Sequence, residues 1–391
     1  MLRAIWKLTV TQILKMINNV WPKDDKVCLF CSKPDYSDNA KALYEYMVQE
    51  ESNNAKLLWI VTNYDVYKVL KAKNINAVRY PSWSWFYYLF RAKYIITTHN
   101  QFADIIAVSQ RYINLWHGMP LKTMGFLENI SSVEHEEYRQ AKRASNISTF
   151  YIATSKLMKL ALIGCFYADP RKVLIVGQPR NDYLFKSNGA NSIKKVLGID
   201  TKQYQKTIIY LPTFRKGSVR QDGSLNEMLF SDGNQEQLKK YLYKNNYLLM
   251  TKLHPLEQTI INTKNNRNIV KIESELLAKE LVTLNEILNV ADMLVTDYSS
   301  AYFDYLLLDK PILFISDDEN EYAETRGFIL DCPEFWRPGP KVTNIDEFIT
   351  EASKLLNDPS YYHSERRLIN NLVNLYIDDK AAKRVYKAIF Q

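Results

Sequence analysis

The chain has 391 residues and no apolar run of about 18 or more, so nothing in it reads as a membrane-spanning helix. It has no Walker loop, no G-x-G-x-x-G and no H-E-x-x-H. A nucleotide is therefore not held by a P-loop or a Rossmann fingerprint, and hydride chemistry is not expected. Basic and aromatic residues are not gathered into an RNA-binding motif, so no nucleic-acid partner is expected. Cysteine is scarce, with Cys28, Cys31, Cys165 and Cys332 scattered along the chain. Cys28 and Cys31 form a C-x-x-C inside a predicted strand over 26–32, where positions three apart point to opposite faces. No second C-x-x-C or paired histidines complete a metal site, and these read as ordinary buried thiols of a reducing compartment. The acidic run 317–321 lacks the spacing of a calcium loop and reads as solvated. There is no internal repeat and no low-complexity tract.

What is present is a globular composition long enough for two domains, with a net charge of +8 that suits nucleic acid, an anionic membrane surface or phosphate-rich substrates. The 27 tyrosines fit interfacial or sugar-facing surfaces. Short apolar runs at 27–31, 57–61, 77–80, 94–98, 112–116, 150–153 and 173–176 alternate with amphipathic stretches such as 39–49 and 66–72. A second set follows at 207–211, 247–250, 269–272, 293–295 and 312–315. That alternation is the signature of parallel sheets covered by helices. The expected fold class is α/β, with two doubly wound, Rossmann-like domains facing a cleft. The expected divisions are an amphipathic helix over 1–22, an N-terminal acceptor domain over 23–188 and a C-terminal nucleotide-donor domain over 189–370. A C-terminal helix over 371–391 is expected to cross back to the first domain. The polar stretch 186–205 is the expected link between domains. Over 1–21, Arg3, Lys7, Thr11, Lys15 and Asn18 share one helical face, while Leu2, Ile5, Trp6, Val10, Ile13, Ile17, Val20 and Trp21 fill the rest, and Pro22 ends the helix. Such a helix either lies in a lipid interface or docks on the protein's own core. It is not a signal peptide, lacking an unbroken apolar stretch and a cleavage site.

Polar groups cluster where predicted strands end, which is where open α/β sheets build ligand crevices. Asp297-Tyr-Ser-Ser-Ala-Tyr-Phe-Asp304 reads as strand end, cap and helix start, either an anion site or a plain N-cap. In the first case Asp297 sits at the cap, Ser299 and Ser300 donate to a phosphate, and Asp304 accepts from a sugar hydroxyl. Lys252 and His254 end another strand and suit a pyrophosphate that gains charge on its leaving side. His117 ends a strand of the first half, where it can take a proton from an attacking hydroxyl. Gly118 allows close backbone approach there, and Lys122 lies in the same stretch. Thr213 and Arg215 follow a further strand, with Arg215 able to clamp phosphate oxygens. Arg180 and Arg326 are arginines after turns. His99, His135 and His363 lack supporting context and read as structural or exposed. No metal site is expected.

Trp116-His-Gly-Met-Pro-Leu-Lys-Thr-Met-Gly125, Gly177-Gln-Pro-Arg-Asn-Asp182, Pro212-Thr-Phe-Arg215, Lys252-Leu-His-Pro255, Thr296-Asp-Tyr-Ser-Ser300, Arg326-Gly-Phe328 and Pro338-Gly-Pro340 occur in that order. The ordered set resembles the CDP-glycerol glycerophosphotransferase family, the teichoic acid primases and polymerases, from about residue 26 onward. Tyr36-Ser-Asp-Asn39 with Lys41-Ala-Leu-Tyr44 looks like the start of that domain. The resemblance implies a GT-B-like fold, peripheral attachment to the cytoplasmic face of the cell membrane, and attack of an acceptor hydroxyl on the β-phosphate of CDP-glycerol with release of CMP. It implies His117 as general base. Lys252, Arg215, His254, Ser299 and Ser300 would hold the pyrophosphate and Asp304 the glycerol or ribose. The implied acceptor is a saccharide on a polyprenyl diphosphate or a growing polymer, and the implied surface is an anionic membrane. No tightly bound cofactor is expected; loosely held Mg²⁺ is the one candidate. Met119 stands where a small or polar residue is usual, and Asp378-Asp379-Lys380 replaces a more usual Asp-Gly. The chain is short beside full polymerases, which favours a primase or short-extension enzyme. The alternatives are a CDP-ribitol or other alditol phosphotransferase, a GT-B glycosyltransferase using a sugar nucleotide, and a polysaccharide-binding protein without catalysis.

Overall fold

The computed structural model describes residues 2–50, 55–128, 142–213, 227–252, 267–316 and 327–391. His135, Arg215, His254, Arg326 and the acidic run 317–321 lie outside the described residues. The chain divides into two compact units. One holds Met1–His117, Met124–Tyr183 and Asp378–Gln391, the other Gly118–Thr123 and Leu184–Ile377.

The first unit is built on seven parallel strands: β1 (Asp24–Cys31), β2 (Lys56–Val61), β3 (Ala77–Arg79), β4 (Ala92–Thr97), β5 (Arg111–Asn114), β6 (Ser148–Ala153) and β7 (Val173–Ile175). Their order is β3-β2-β1-β4-β5-β6-β7. β1 lies inside the sheet and its last five residues, Val27–Cys31, are all buried, as a strand covered on both faces requires. Val27, Leu29 and Cys31 join one core cluster with Leu58, Ile60 and Ile95, whereas Cys28 does not. The two thiols thus sit on opposite faces, free and buried, and burial pushes each up to about 12.

The second unit has β8 (Lys206–Leu211), β9 (Tyr247–Thr251), β10 (Ile269–Lys271), β11 (Met293–Thr296), β12 (Ile312–Ile315) and β13 (Lys341–Val342). They are parallel in the order β10-β9-β8-β11-β12-β13. The two-residue β13 was not anticipated. It is set by backbone pairing, Ser316 N donating to Val342 O at 3.0 Å, and by Gly339, where an added Cβ would stand 2.1 Å from the Ile312 carbonyl oxygen.

The stretch expected to link the domains is folded. Asn188 caps a helix over Gly189–Leu197 by accepting from Asn191 N at 3.1 Å, and Gly198 ends it in the left-handed region. Its polar composition hides the buried pair Ile193 and Val196. The second unit begins earlier than the sequence suggested, because Asn289 Nδ2 donates to the Leu184 and Ser187 carbonyls at 3.3 and 2.6 Å. Gly118–Thr123, expected in the N-terminal domain, also clusters with it: Ile329 N donates to Leu121 O at 2.9 Å and Lys122 bridges Phe328.

The first helix runs over Leu2–Val20, and its polar face differs from the expected one. Asn18 is buried, and its amide donates to Ile105 O at 2.7 Å and Gln110 Oε1 at 2.9 Å. Leu14 packs on the core, whereas Met16 and Val20 are 68% and 84% exposed. Asn18 is thus a polar anchor that helps dock this helix beside Leu14. No helix among the described residues is long and apolar enough to cross a membrane.

Candidate active site

Both sheets reverse their strand order beside the first strand, between β1 and β4 and between β8 and β11. Crevices of doubly wound sheets form outside the carboxyl ends of strands at such points. The sequence places its polar motifs there.

In the first unit β4 runs into Thr98-His99-Asn100-Gln101 and β5 into Leu115-Trp116-His117. Asn114 Oδ1 accepts from Trp116 N at 2.9 Å, Asn114 Nδ2 donates to Asn100 Oδ1 at 2.5 Å, and Leu115 N donates to Thr97 O at 2.8 Å. Trp116 is held at φ +50° and Gly118 at +143°, so the chain turns sharply on either side of His117. A tryptophan in the left-handed region costs about 1–3 kcal/mol and persists only where its surroundings over-determine it. Asn39 supplies that constraint. Buried at the start of the helix Asp38–Gln49, it donates to the Leu115 and Trp116 carbonyls at 3.2 and 2.9 Å and accepts from Arg180 N at 3.1 Å.

His117 Nδ1 lies 3.2 Å from the Thr98 carbonyl oxygen. A carbonyl only accepts, so Nδ1 carries the proton in this contact. The Trp116 ring lies 4.0 Å from the imidazole, and His99 stacks on it at 4.0 Å with 3° between planes. Burial first, and the neighbouring His117 second, lower His99 to about 3, so it stays neutral near pH 7. His99 was read from the sequence as a residue without context. The missed signal is its position directly after a predicted strand, the same grammar that singled out His117. His363 is half-exposed and meets Asp309 Oδ2 at 2.9 Å on the second unit's surface.

Arg180 is buried, and its Nη1 donates to Asp38 Oδ1 at 3.0 Å. Asn39 and Arg180 thus fasten the Gly177–Asp182 turn to the His117 loop. Asp182 accepts from Ala381 N and Ala382 N at 2.8 and 3.0 Å, anchoring the last helix, Ala381–Phe390.

In the second unit β8 and β11 end level, Leu211 opposite Thr296. Asp297, fully buried, accepts from Thr213 N at 2.9 Å, Thr213 Oγ1 at 2.6 Å and Tyr298 N at 2.5 Å. Asp297 and Thr213 thus clamp two strand ends together. The helix expected from Ser299 starts at Ala301 and gives way to a 3₁₀ turn over Leu306–Leu308. Ser300 precedes it without a side-chain cap, and Ser299 Oγ accepts from Ala301 N at 3.4 Å. Both serines are half-buried at the strand end. Asp304, expected to face a sugar, is buried and accepts from Asn285 Nδ2 at 3.2 Å. Lys252 follows β9, its N donating to Tyr210 O at 3.1 Å. Burial lowers its ammonium from the ordinary lysine value, with Glu275 acting the other way. A lysine poised in this way gains most from an arriving anion.

Arg337 is the second residue the sequence did not flag. Fully buried, it donates from Nη1 to Ser316 Oγ at 2.6 Å, and its guanidinium lies 5.2 Å from the Tyr298 ring centre. It ties the end of β12 to the Asp297–Ser300 corner.

Residues 13–391 match the family described as CDP-Glycerol:Poly(glycerophosphate) glycerophosphotransferase. The chain belongs to that family. Among its relatives is the teichoic acid glycerol-phosphate transferase of Staphylococcus aureus (strain NCTC 8325 / PS 47), 29% identical over 91% of this chain and 90% of the relative. The teichoic acid glycerol-phosphate primase of Bacillus subtilis (strain 168) is 27% identical over 94% and 93% of the two chains. The solved wall teichoic acid polymerase TagF superposes with a TM-score of 0.80 at 23% identity, covering 99% of this chain and 95% of that one. The α/β fold with parallel sheets is thus that of a GT-B-like family member. Membership also explains why motifs that are weak one by one line up along a single chain.

Proposed function

We propose that this glycerophosphotransferase moves glycerol phosphate from CDP-glycerol to an acceptor hydroxyl in teichoic acid synthesis. The observation that carries the reading is His117: a strand-end imidazole whose Nδ1 is committed to a backbone carbonyl, which assigns Nε2 to the reacting proton. In the proposed step Nε2 takes the proton of the acceptor hydroxyl as its oxygen forms a bond to the β-phosphorus. The bond from that phosphorus to the bridging oxygen breaks, and CMP leaves with the oxygen and its electron pair. Charge then grows on the leaving phosphate, which Lys252 is suited to meet. Ser299 and Ser300 supply hydroxyl donors, and Arg215 and His254 keep their expected roles on the pyrophosphate. The acceptor half of the chemistry falls to the first unit and the donor half to the second, and the shared cleft expected from the sequence belongs to this proposal.

No tightly held cofactor enters the step; loosely held Mg²⁺ would come with the diphosphate. The acceptor is proposed to be a polyprenyl-diphosphate-linked saccharide or a growing chain at an anionic membrane surface. The exposed Met16 and Val20 of the docked first helix support membrane contact. CDP-ribitol is the second donor to weigh, because the teichoic acid ribitol-phosphate polymerase TarL of S. aureus (strain NCTC 8325 / PS 47) is also 27% identical over 88% of the chain, although the chain spans 58% of that relative.

The test is CMP release from CDP-glycerol and CDP-ribitol, with and without a lipid-linked disaccharide analogue, beside His117→Ala. Acceptor-dependent release that the variant loses is the expected result. Folded protein that releases no CMP from either donor would overturn the reading.

A further inference from the structure

The second unit carries a cavity at the edge of its sheet opposite to the corner described above. Loops leading into the amino ends of three strands supply it: Tyr204 ahead of β8, Asn246 ahead of β9 and Arg267 ahead of β10. The helix Asp232–Asn245 adds Lys239, Lys240 and Tyr243, and the cavity, open on one side, has a volume of about 640 Å³. Ligand crevices of reaction sites lie at carboxyl ends, so this cavity stands apart from the chemistry of Lys252 and the serine pair.

Its walls are fixed. Tyr204 Oη donates to the Arg267 carbonyl at 2.7 Å, and Asn246 Nδ2 donates to the Gln203 carbonyl at 2.9 Å. Lys239 is paired with Glu236 at 2.7 Å, and Lys240 also feels that carboxylate more weakly, so one negative group faces three cations across Lys239, Lys240 and Arg267. Lysines on an exposed helix face are ordinary solvated groups, which accounts for Lys239 and Lys240 on their own. That account does not extend to Arg267, which comes from a different loop, or to the Tyr243 ring, 80% exposed beside the cavity. Cations from two elements, with tyrosine and asparagine between them, make a surface for phosphates separated by hydroxylated carbons.

We propose that this cavity is a second anion site that holds a stretch of poly(alditol phosphate) chain away from its reacting end. The inference rests on the reaction proposed above. A repeating phosphodiester engages several cations at once, whereas a single glycerol phosphate engages one, so the site selects chains over monomers.

The experiment uses the full chain and the double variant Lys240→Gln/Arg267→Gln, both changes lying on exposed positions. Calorimetry measures binding of a glycerol phosphate oligomer, glycerol 3-phosphate, inorganic phosphate and an RNA oligomer of equal charge, at two salt concentrations. The oligomer is expected to bind the variant about tenfold more weakly and with a shallower salt dependence, since two cations no longer displace counterions. CMP release on a short acceptor stays unchanged, and the polymer products of the variant are shorter. Equal oligomer binding by the two proteins, or none by the unaltered chain, overturns the site. So does an RNA or inorganic phosphate affinity matching that of the oligomer. Oligomer binding that depends on the two cations, in a protein that releases no CMP from CDP-glycerol, keeps the site and removes the reaction.

Discussion

The two strand-end corners are built by opposite means. At His117 the backbone is bent against its preference and held by neutral groups: the amide of Asn39, the carbonyl of Thr98 and the faces of Trp116 and His99. At Asp297 the backbone is relaxed and a buried carboxylate draws two strand ends together. A base must be held in one orientation, so the groups that touch it are made stiff. A phosphate site must gain from an incoming anion, so Asp297 is engaged by internal hydrogen bonds and a desolvated lysine stands at the end of another strand of the same sheet. The difference is that between holding a proton acceptor and holding a charge.

Removing the base should break the comparison most. His117→Ala is expected to lower the rate of CMP release by about 10²–10⁴-fold while leaving the denaturation midpoint nearly unchanged. Removing the clamp should do the reverse. Asp297→Asn loses charge-assisted acceptance from Thr213 and Tyr298 and is expected to cost about 3 kcal/mol of stability in chemical denaturation. A variant of normal stability would refute the clamp.

Much of this was legible. Among the described residues, twelve of the thirteen strands fall on apolar runs read from the sequence, because buried parallel strands announce themselves by unbroken apolar stretches. His117, Lys252 and the serine pair were singled out because strand ends are where such sheets work, and each does stand at a strand end. What stayed hidden depends on pairing across long separations. Thr213 and Asp297 are 84 residues apart, and nothing local says that one uses up the other. Asn18 reads as a solvent-facing residue until Gln110, 92 residues on, is brought to it. Trp116 at positive φ goes against its own propensity and cannot be read from its neighbours.

The turn around His117 gives a third, smaller test. Asn39→Ala removes the amide that satisfies the Leu115 and Trp116 carbonyls, with an expected loss of about 2 kcal/mol and a fall in kcat at unchanged KM. The stacked ring gives a fourth. His99→Ala should lower kcat about tenfold by freeing the base from its plane, and His99→Phe should restore most of it. Because the folded protein holds His99 at about 3 against an ordinary 6.5, the unfolded chain binds the extra proton between those values. Stability should therefore fall as pH drops through that window, and the His99→Phe protein should show a flatter profile. The smallest effect is at Lys252. Its lowered value means that the cation is lost earlier on the alkaline side than an ordinary lysine would lose it, so kcat/KM should decline there first. Lys252→Arg, always charged, should remove that early decline; an identical alkaline limb in the two proteins would mean that Lys252 does not meet the donor's charge.

Asp182 receives the start of the last helix through Ala381 and Ala382, 199 and 200 positions later. A chain emerging from the ribosome therefore presents the residues of its first unit long before that unit has all its parts. The second unit is fully synthesised while the first still lacks its final helix. Interruption of translation anywhere upstream of Asp378 would leave the unit that bears His117 open, and the burden on the folding machinery falls on the half of the protein that is made first.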